Sequence, residues 1–291
     1  MKKIVFIVNP ASGKGKKENV GDIASRYLNS SVFSFSVVYT EYASHAKLLA
    51  EKAASEGVDI VAAVGGDGTV NEVASSLAGT NTALAIIPCG SGNGLARHLG
   101  IPLNPAEAIK ELNSSASERI DYATVNGRKF FCTCGMGLDA EVSLRFSKAK
   151  KRGLASYVCC VMKEWRRAKS QTYLIRSEGQ PDIKQDAVLL TAANASQWGN
   201  NAIIAPGACV TDGLLDIAAI RQFSFWKAPS LARKLFRGTL DKDKKIYSRI
   251  KLSAFTVIRN APGYIHIDGE PLWAESFLEF EIHRSGLLVI K

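Results

Sequence analysis

The stretch VDIVAAVGGDGTVNEV, from Val58 to Val73, decides the fold of the N-terminal half of the chain. Its apolar run 58–64 is too short to span a membrane and predicts a buried parallel strand. The glycine-rich turn 65–69 follows, and apolar residues then recur at helical spacing as far as Leu77. This order brings backbone N–H groups and a helix N-terminus to the carboxyl edge of a sheet, which favours an anion site.

Asp67 is the unusual residue of this turn, because a carboxylate does not suit plain anion binding. A carboxylate is useful where a metal ion is bound or a proton is transferred. The alternative is a tight strand-to-helix turn capped by Thr69. Three glycines in four positions around a carboxylate favour the functional interpretation.

Two further glycine-rich turns follow predicted strands, so that the turn 65–69 is the second of three in chain order. The first turn, NPASGKGK (9–16), comes after the apolar run 3–8 and lacks the spacing of a Walker A loop. The third turn, PCGSGNGLAR (88–97), comes after the run 83–87 and only approximates the GxGxxG pattern. Taken singly, the first turn could be an exposed basic turn and the third a structural turn.

Together the three turns are more specific than any one of them. Each follows a strand of an alternating β/α segment, so all three should lie at one edge of a parallel sheet. A polyphosphate lying across that edge could touch each turn. The sequence therefore predicts a nucleotide-binding α/β domain over about residues 1–118.

Composition limits the remaining possibilities. A chain of 291 residues favours two domains, and 46% hydrophobic with 22% charged residues is typical of globular proteins. The formal charge of +10 suggests nucleic acid, an anionic membrane or phosphorylated ligands as partners. No apolar run reaches the roughly 18 residues of a spanning helix, and the N-terminus does not read as a secretory signal. The six cysteines lack CxxC spacing, so we expect reduced thiols in a cytoplasmic protein.

The C-terminal half changes pattern from about residue 119. Short runs of strand composition alternate with turns such as Asn126-Gly127 and Asp268-Gly269. Many short strands after an α/β half predict an all-β antiparallel sandwich over residues 119–283. The predicted strands are 120–125, 129–134, 172–177, 187–194, 214–220, 251–258, 263–268 and 277–283.

Two basic segments stand out in this half. The helical stretch 145–170 carries lysines and arginines beside Trp165, among them Lys150, Lys151 and Arg152, and a second stretch runs from Arg233 to Lys245. Basic residues beside aromatic ones suit an anionic membrane interface. An amphipathic helix packed on the core with a solvated face is the equal alternative.

Six motifs, in order and spacing, resemble the diacylglycerol kinase catalytic-domain family, which includes sphingosine kinases, ceramide kinases and soluble bacterial lipid kinases. They extend over nearly the whole chain, and only the second is shared in part with NAD kinases. The motifs are NPASGKG (9–15), GGDGTVNEV (65–73), PCGSGNGLARHLGI (88–101), FFCTCGMGLDAEV (130–142), PGACVTDGLLDI (206–217) and IHIDGEPL (265–272). The resemblance also implies an NAD kinase-like parallel sheet in the first domain, to which the last strand, 284–291, returns.

The resemblance implies a role for individual residues. Glu270 is the expected proton acceptor, and Asp67 is the other residue to which that role has been given in sphingosine kinases. A structural Mg²⁺ is expected at the carbonyls of Cys209 and Leu214 and the side chain of Asp212, although the residues alone favour an Asp-Gly hairpin turn there. The residues expected to bind ATP are Asn9, Pro10, Ala11, Ser12, Gly13, Thr40, Gly65, Gly66, Asp67, Gly68, Thr69, Val70, Asn71 and Ser91.

The expected function is ATP-dependent phosphorylation of a lipid hydroxyl, with ATP and Mg²⁺ as cofactors. Diacylglycerol, a sphingoid base, ceramide and phosphatidylglycerol are all suitable acceptors, and the sequence does not rank them. The expected partner is lipid at an anionic membrane surface rather than nucleic acid, with peripheral membrane association and a possible homodimer. The alternatives are an NAD kinase-like small-molecule kinase and a non-catalytic basic nucleotide-binding protein.

Overall fold

The computed structural model describes residues 1–13, 19–149 and 154–291, and Lys14–Lys16 and Lys150–Arg152 of the basic segments lie outside them. The chain divides into two compact units. The first comprises Met1–Asp121 and Arg284–Lys291, and the second Tyr122–His283. The division thus falls within a few residues of position 118 and between positions 283 and 284.

The first unit is an α/β layer built on a parallel sheet. Its strands are β1 (Lys2–Val8), β2 (Phe33–Tyr39), β3 (Ile60–Gly65) and β4 (Ala83–Pro88). Its helices are α1 (Val20–Tyr27), α2 (His45–Ser55), α3 (Asp67–Leu77), α4 (Gly94–His98) and α5 (Pro105–Glu111).

The strand order β2-β1-β3-β4 is parallel throughout, with Phe6 opposite Ala62 and Ala62 opposite Ala85. Every residue of β3 and β4 is buried, as expected for strands covered by helices on both faces. The carboxyl ends of β1, β3 and β4 therefore lie side by side. This confirms that the three glycine-rich turns share one edge of the sheet.

The second unit is a sandwich of antiparallel strands. The chain contributes β5 (Ser117–Val125), β6 (Arg128–Phe130), β7 (Thr133–Gly137), β8 (Gln171–Arg176), β9 (Ile183–Ala187), β10 (Leu189–Ala193), β11 (Gln197–Gly199) and β12 (Ala202–Ile203). It continues with β13 (Leu215–Ile220), β14 (Tyr247–Leu252), β15 (Ala254–Arg259), β16 (Gly263–Ile267), β17 (Glu270–Ala274) and β18 (Phe277–Ile290). Three helices accompany these strands, α6 (Leu138–Ser147), α7 (Leu154–Trp165) and α8 (Ala228–Phe236).

One sheet of the sandwich has the order β14-β13-β10-β7-β16-β17, and the other joins β18, β15, β8 and β9. Buried side chains such as Leu190, Ile217, Val257 and Phe280 fill the core of this unit. The predicted fold class, an α/β domain followed by an antiparallel sandwich, is therefore confirmed.

Three of the predicted strands each cover parts of two observed strands. The expected strand 129–134 covers the end of β6, which stops at Phe130, and the start of β7, which begins at Thr133. The expected strand 251–258 ends at Leu252 and restarts at Ala254, because the chain leaves one sheet of the sandwich and enters the other there. The expected strand 187–194 divides at Val188 for the same reason, between β9 and β10. The helical stretch 145–170 belongs to two helices, α6 and α7. The last strand is confirmed, since Val289 of β18 pairs in parallel with Leu84 of β4.

Candidate active site

Hydrogen bonds join the turns at the carboxyl edge of the parallel sheet. The Asn9 side-chain amide donates to Thr69 Oγ at 3.1 Å, which ties the first turn to the start of α3. The backbone N–H of Cys89 donates to the Gly65 carbonyl at 2.8 Å, and that of Thr40 donates to the Val8 carbonyl at 2.9 Å. The turns after β1, β2, β3 and β4 thus form one connected rim.

Helix α3 begins in this rim without a side-chain cap. Its first residue is Asp67, and the N-cap residue Gly66 has no side chain to accept from the first turn. No described residue accepts a hydrogen bond from the N–H of Gly68 or Thr69. Uncapped N–H groups at the positive end of a helix are what an anionic phosphate requires.

Glycine is needed where the second and third turns approach each other. A Cβ on Gly90 would lie 2.6 Å from Gly66 Cα, closer than carbon atoms can pack. A Cβ on Gly65 would lie 2.5 Å from both Cβ and Oγ of Thr69. Gly90 therefore allows the backbone of the two turns to come into contact, and Gly65 leaves room for the Thr69 side chain.

Asp67 bridges the second and third turns. One carboxylate oxygen accepts the backbone N–H of Asn93 at 2.9 Å and the other accepts that of Gly94 at 2.7 Å. Asn93 has a left-handed backbone with φ of 53°, and its side chain closes a reciprocal pair with the backbone of Gly90. The carboxylate thus holds the start of α4 against the start of α3, which gives Asp67 a clear positioning function.

The other residues expected to bind nucleotide lie around the same edge. Pro10, Ala11, Gly13 and Ser91 are exposed. Asn9, Ser12, Thr40, Gly66, Gly68 and Asn71 are half-buried, and Gly65, Thr69 and Val70 are buried. Lys14–Lys16, the basic end of the first turn, lie outside the described residues.

Glu270, the expected proton acceptor, lies in the second unit at the first position of β17. It pairs with Ile267 of β16 across a two-residue turn, Asp268-Gly269, in which both φ angles are positive. This is the type I′ geometry that Asp-Gly favours. The Glu270 side chain is exposed and has no ion-pair or hydrogen-bond partner among the described residues. A carboxylate without a partner on a tight hairpin can accept a proton.

The hairpin that carries Glu270 is fixed at both ends. At the turn, the Asp268 carboxylate accepts the backbone N–H groups of Phe131, Cys132 and Thr133 at 2.8–3.0 Å. At the open end, the buried guanidinium of Arg259 donates to several backbone carbonyls. Burial lowers the pKa of Arg259 below its ordinary value, because a cation loses hydration when it is removed from water. The carbonyl groups replace part of that hydration by accepting its hydrogen bonds.

The turn expected to hold a structural Mg²⁺ offers one carboxylate, and that carboxylate already has a cation. Lys251 Nζ lies 2.6 Å from Asp212 Oδ2, while Asp212 Oδ1 accepts the N–H of Leu214 at 3.0 Å. Among the described residues no three His, Cys, Asp or Glu side chains group around a common point. A metal bound by Asp212 and the carbonyls of Cys209 and Leu214 would have to displace Lys251, so these residues do not fit the ion as they stand.

A fully buried acid, Asp216, lies next to this turn. Arg249 and Lys251 approach its carboxylate at 3.3 Å and 3.6 Å. Burial raises the pKa of Asp216 above its ordinary value, and these two cations oppose the shift. Lys251 therefore serves two carboxylates at once.

The Asp212 turn and Glu270 lie near opposite edges of the same sheet, because the turn precedes β13 and Glu270 begins β17.

An apolar cavity of about 150 Å³ lies in the second unit, between α6, α7, α8 and the six-stranded sheet. Tyr157, Trp165, Phe223 and Leu235 are among its lining side chains, and the rings of Trp165 and Phe223 lie 4.1 Å apart. Burial raises the pKa of Tyr157 well above its ordinary value, in keeping with an apolar setting. Apolar cavities of about this size accept small hydrocarbon groups.

The basic segments near this cavity differ in how exposed they are. Arg145 forms an ion pair with Glu164, and Lys234 binds Asp243 at 2.6 Å, so these two cations serve the fold. Trp226, before α8, is 87% exposed. Six basic residues that follow it in the sequence are also exposed, namely Lys227, Arg233, Arg237, Lys242, Lys244 and Lys245. No helix within the described ranges has the length and apolar character to cross a bilayer.

Several residues that shape these sites are absent from the sequence-based expectations. Asn93 could have been found, because an Asn between two glycines is a common left-handed position. Asp268 and Arg259 act on backbone groups far away in sequence, and no local pattern reports such contacts. His266 was predicted only as part of a strand.

Two family models match the chain. The diacylglycerol kinase catalytic domain matches residues 3–125, and the YegS C-terminal NAD kinase beta sandwich-like domain matches residues 132–285. A diacylglycerol kinase of Mycobacterium tuberculosis is 30% identical over 285 residues, 94% of this chain and 91% of that protein. A probable lipid kinase, YegS-like, of Pseudomonas putida is 30% identical over 282 residues, 95% of this chain and 90% of that protein.

Solved structures share the fold. A crystal structure from Bacillus anthracis str. Sterne matches with a TM-score of 0.79 at 25% identity, covering 99% of this chain and 96% of that one. A diacylglycerol kinase structure from the same organism matches with a TM-score of 0.75 at 22% identity, with the same coverage.

Proposed function

Because the chain belongs to the family of diacylglycerol kinases and YegS-like lipid kinases, we propose that it transfers the γ-phosphoryl group of ATP to a hydroxyl group of a membrane lipid. The observation that carries this proposal is the rim of glycine-rich turns joined by Asp67. Main-chain N–H groups at the uncapped start of α3 supply donors for the phosphates of ATP, which enters as its magnesium complex.

Phosphoryl transfer needs a proton acceptor for the lipid hydroxyl. In the proposed reaction the hydroxyl oxygen forms a bond to the γ-phosphorus, the bond to the β–γ bridging oxygen breaks, and ADP leaves. The hydroxyl proton passes to the carboxylate of Glu270. Glu270 suits this role better than Asp67, because both oxygens of Asp67 already accept backbone N–H groups whereas the Glu270 side chain has no partner among the described residues.

The apolar cavity supports a lipid as the acceptor. Its walls are aromatic and aliphatic side chains of α6, α7 and α8, which suit a segment of hydrocarbon chain. Such walls do not distinguish diacylglycerol from a sphingoid base, so the acceptor is chosen by the groups around the hydroxyl.

An anionic bilayer is the proposed docking partner. The exposed indole of Trp226 can enter the headgroup region, and the exposed lysines and arginines near it can bind anionic headgroups. The same α8 lines the apolar cavity through Leu231 and Leu235, so the docking segment and the cavity share a helix.

The test is an assay with labelled ATP and separate acceptors: diacylglycerol, a sphingoid base, ceramide and phosphatidylglycerol in vesicles, and NAD in solution. We expect label in one lipid. Label in NAD alone would make the protein a small-molecule kinase, and ATP binding without transfer would make it a non-catalytic nucleotide-binding protein.

The variant Glu270→Gln tests the proton acceptor in the same assay. Because general bases contribute about 10²–10⁴-fold, turnover should fall by at least 100-fold while the protein stays folded. Glu275→Gln is the matched control, since Glu275 is an exposed glutamate just beyond β17. Normal turnover in Glu270→Gln would remove Glu270 from the mechanism.

A further inference from the structure

His266 lies in β16, four residues before Glu270, and only 2% of it is exposed. Both of its ring nitrogens face a polar group. Nδ1 accepts the backbone N–H of Gly269 at 3.2 Å, and Nε2 lies 2.8 Å from Asp139 Oδ2. The imidazole therefore connects a residue of the Glu270 turn with the first turn of α6.

The contact with Gly269 fixes the tautomer of His266. Nε2 lies close to Asp139 but makes no hydrogen bond with a described residue. A ring nitrogen that accepts a hydrogen bond carries no proton, so Nδ1 is unprotonated and the proton lies on Nε2. Nε2 faces Asp139, which accepts the hydroxyl of Thr191 at 2.8 Å. The ring thus has an acid in close contact at one edge and accepts the N–H of Gly269 at the other.

His266 and Asp139 are closely packed by their neighbours. Asp139 is 4% exposed and Thr191 is fully buried. A Cβ on Gly135 would overlap both the Asp139 carboxylate and His266 Nε2. Asp139 also borders the apolar cavity, so the same acid lies between the proposed hydrocarbon site and the imidazole.

We propose that His266 is a positioning residue for Glu270. The imidazole, buried beside Asp139, accepts the N–H of Gly269, and Gly269 sets the direction in which the next residue leaves the turn. The inference rests on the proposed function, because it assigns His266 an effect on the proton acceptor of that reaction. Asp268 fixes the other residue of the turn, so His266 completes the constraint on the Asp268-Gly269 pair.

Two variants of His266 each keep one of the two contacts of the imidazole and remove the other. In His266→Asn the amide oxygen can reach the position of Nδ1 and accept the Gly269 N–H, but nothing reaches Asp139. In His266→Gln the amide nitrogen can reach the position of Nε2 and keep the close contact with Asp139, but the Gly269 N–H loses its acceptor. Both variants remove one contact of a buried group, so both should lower the unfolding temperature.

The variants should differ in turnover. If His266 positions Glu270, His266→Gln lowers kcat at least tenfold with the KM for ATP unchanged, and His266→Asn stays within about threefold of the wild type. A purely structural histidine would lower the amount of folded protein in both variants and leave kcat per folded molecule alike. Equal kcat values in the two variants would overturn the proposal.

A double variant shows whether the effect passes through Glu270. Combining His266→Gln with Glu270→Gln should lower kcat no further than Glu270→Gln alone, because residues acting through one group are not additive. Losses that multiply would mean that His266 acts elsewhere, which contradicts the proposal.

A measurement without turnover separates this inference from the proposed function. Amide hydrogen exchange at Gly269 and Glu270 should be faster in His266→Gln than in His266→Asn, whatever reaction the protein catalyses. If Glu270→Gln keeps full activity but exchange follows this pattern, the proton-acceptor assignment fails and the effect of His266 on the turn stands. Equal exchange in the two variants would remove the positioning function itself.

Discussion

The carboxylate of Asp67 accepts the backbone N–H of Gly94 at 2.7 Å, across 27 residues of sequence. With the Asn93 N–H on its other oxygen, this contact joins the first turns of α3 and α4. Each helix start presents N–H groups at the same sheet edge. The acid therefore acts as a brace between the turns 65–69 and 88–97, and both of its oxygens accept a backbone N–H group.

Asp67→Asn should weaken that brace. An amide has one acceptor oxygen, so its NH₂ group would face one of the two N–H donors. Because hydrogen bonds to charged groups contribute about 1.5–3 kcal/mol, we expect a loss of this order in the free energy of unfolding and a higher KM for ATP. Chemical denaturation and steady-state kinetics measure the two effects.

Asp59→Asn is the matched control for this variant. Asp59 also accepts a backbone N–H, that of Lys3 at 2.7 Å, and it precedes β3 at the opposite end of the strand from the rim. We expect a change in stability without a change in the KM for ATP. A raised KM in both variants would show that the ATP site responds to general destabilisation.

Gly90→Ala should separate the second and third turns. The new Cβ would lie 2.6 Å from Gly66 Cα, and both groups belong to backbone that cannot rotate away. Overpacking of this kind costs about 1–3 kcal/mol, and the widened rim should also bind ATP more weakly. Titration of ATP followed by calorimetry measures the affinity.

Gly263→Ala is the comparison, because a Cβ there would meet only Arg259 at an ordinary 3.6 Å. It should leave ATP affinity unchanged. Normal ATP affinity in Gly90→Ala would mean that the close approach of the two turns does not matter for the nucleotide.

The sequence predicted the parts of the fold that depend on local pattern. Apolar runs and glycine turns near Val58–Leu77 predict β3 and α3 because burial on both faces and helical periodicity are visible within one segment. The partners of Asp67 were not predictable, since they lie 26 and 27 residues away. Local pattern predicted His266 as part of a strand and did not report its burial. Ile265 and His266 alternate as if one faced solvent, yet both are buried because α6 lies against β16.

Lys251→Met should destabilise the second unit at neutral pH. It removes the ammonium that pairs with Asp212 and approaches the fully buried Asp216, which keeps only Arg249 as a nearby cation among the described residues. A buried group that loses a partner costs about 1–3 kcal/mol. Asp216 already has a raised pKa in the folded protein, and losing Lys251 raises it further. A raised folded-state pKa gives stability that is present at low pH and lost as the pH rises through it. The deficit of the variant should therefore shrink on acidification, as thermal unfolding at pH 4 to 8 would show.

Asp216→Asn should rescue the Lys251→Met variant at neutral pH, because it removes the buried charge.

Treatment with EDTA should leave the unfolding temperature of the wild-type protein unchanged, since Lys251 occupies the carboxylate of Asp212 that a structural metal would use. A large drop with EDTA, restored by Mg²⁺, would show that a metal displaces Lys251 in solution.

Trp226→Ala should weaken membrane binding without changing ATP binding. The indole is 87% exposed beside exposed basic residues, so it can insert where the headgroups of anionic lipids attract those cations. Each basic residue near an anionic surface contributes about 1 kcal/mol, and salt screens this attraction within a Debye length. Flotation with vesicles should therefore show binding to anionic but not neutral lipid, release at high salt, and a several-fold lower bound fraction in Trp226→Ala.

Trp273→Ala is the control, because Trp273 is also exposed, at 57%, on β17 away from α8. Equal flotation of the two variants would place the membrane contact outside the α8 segment.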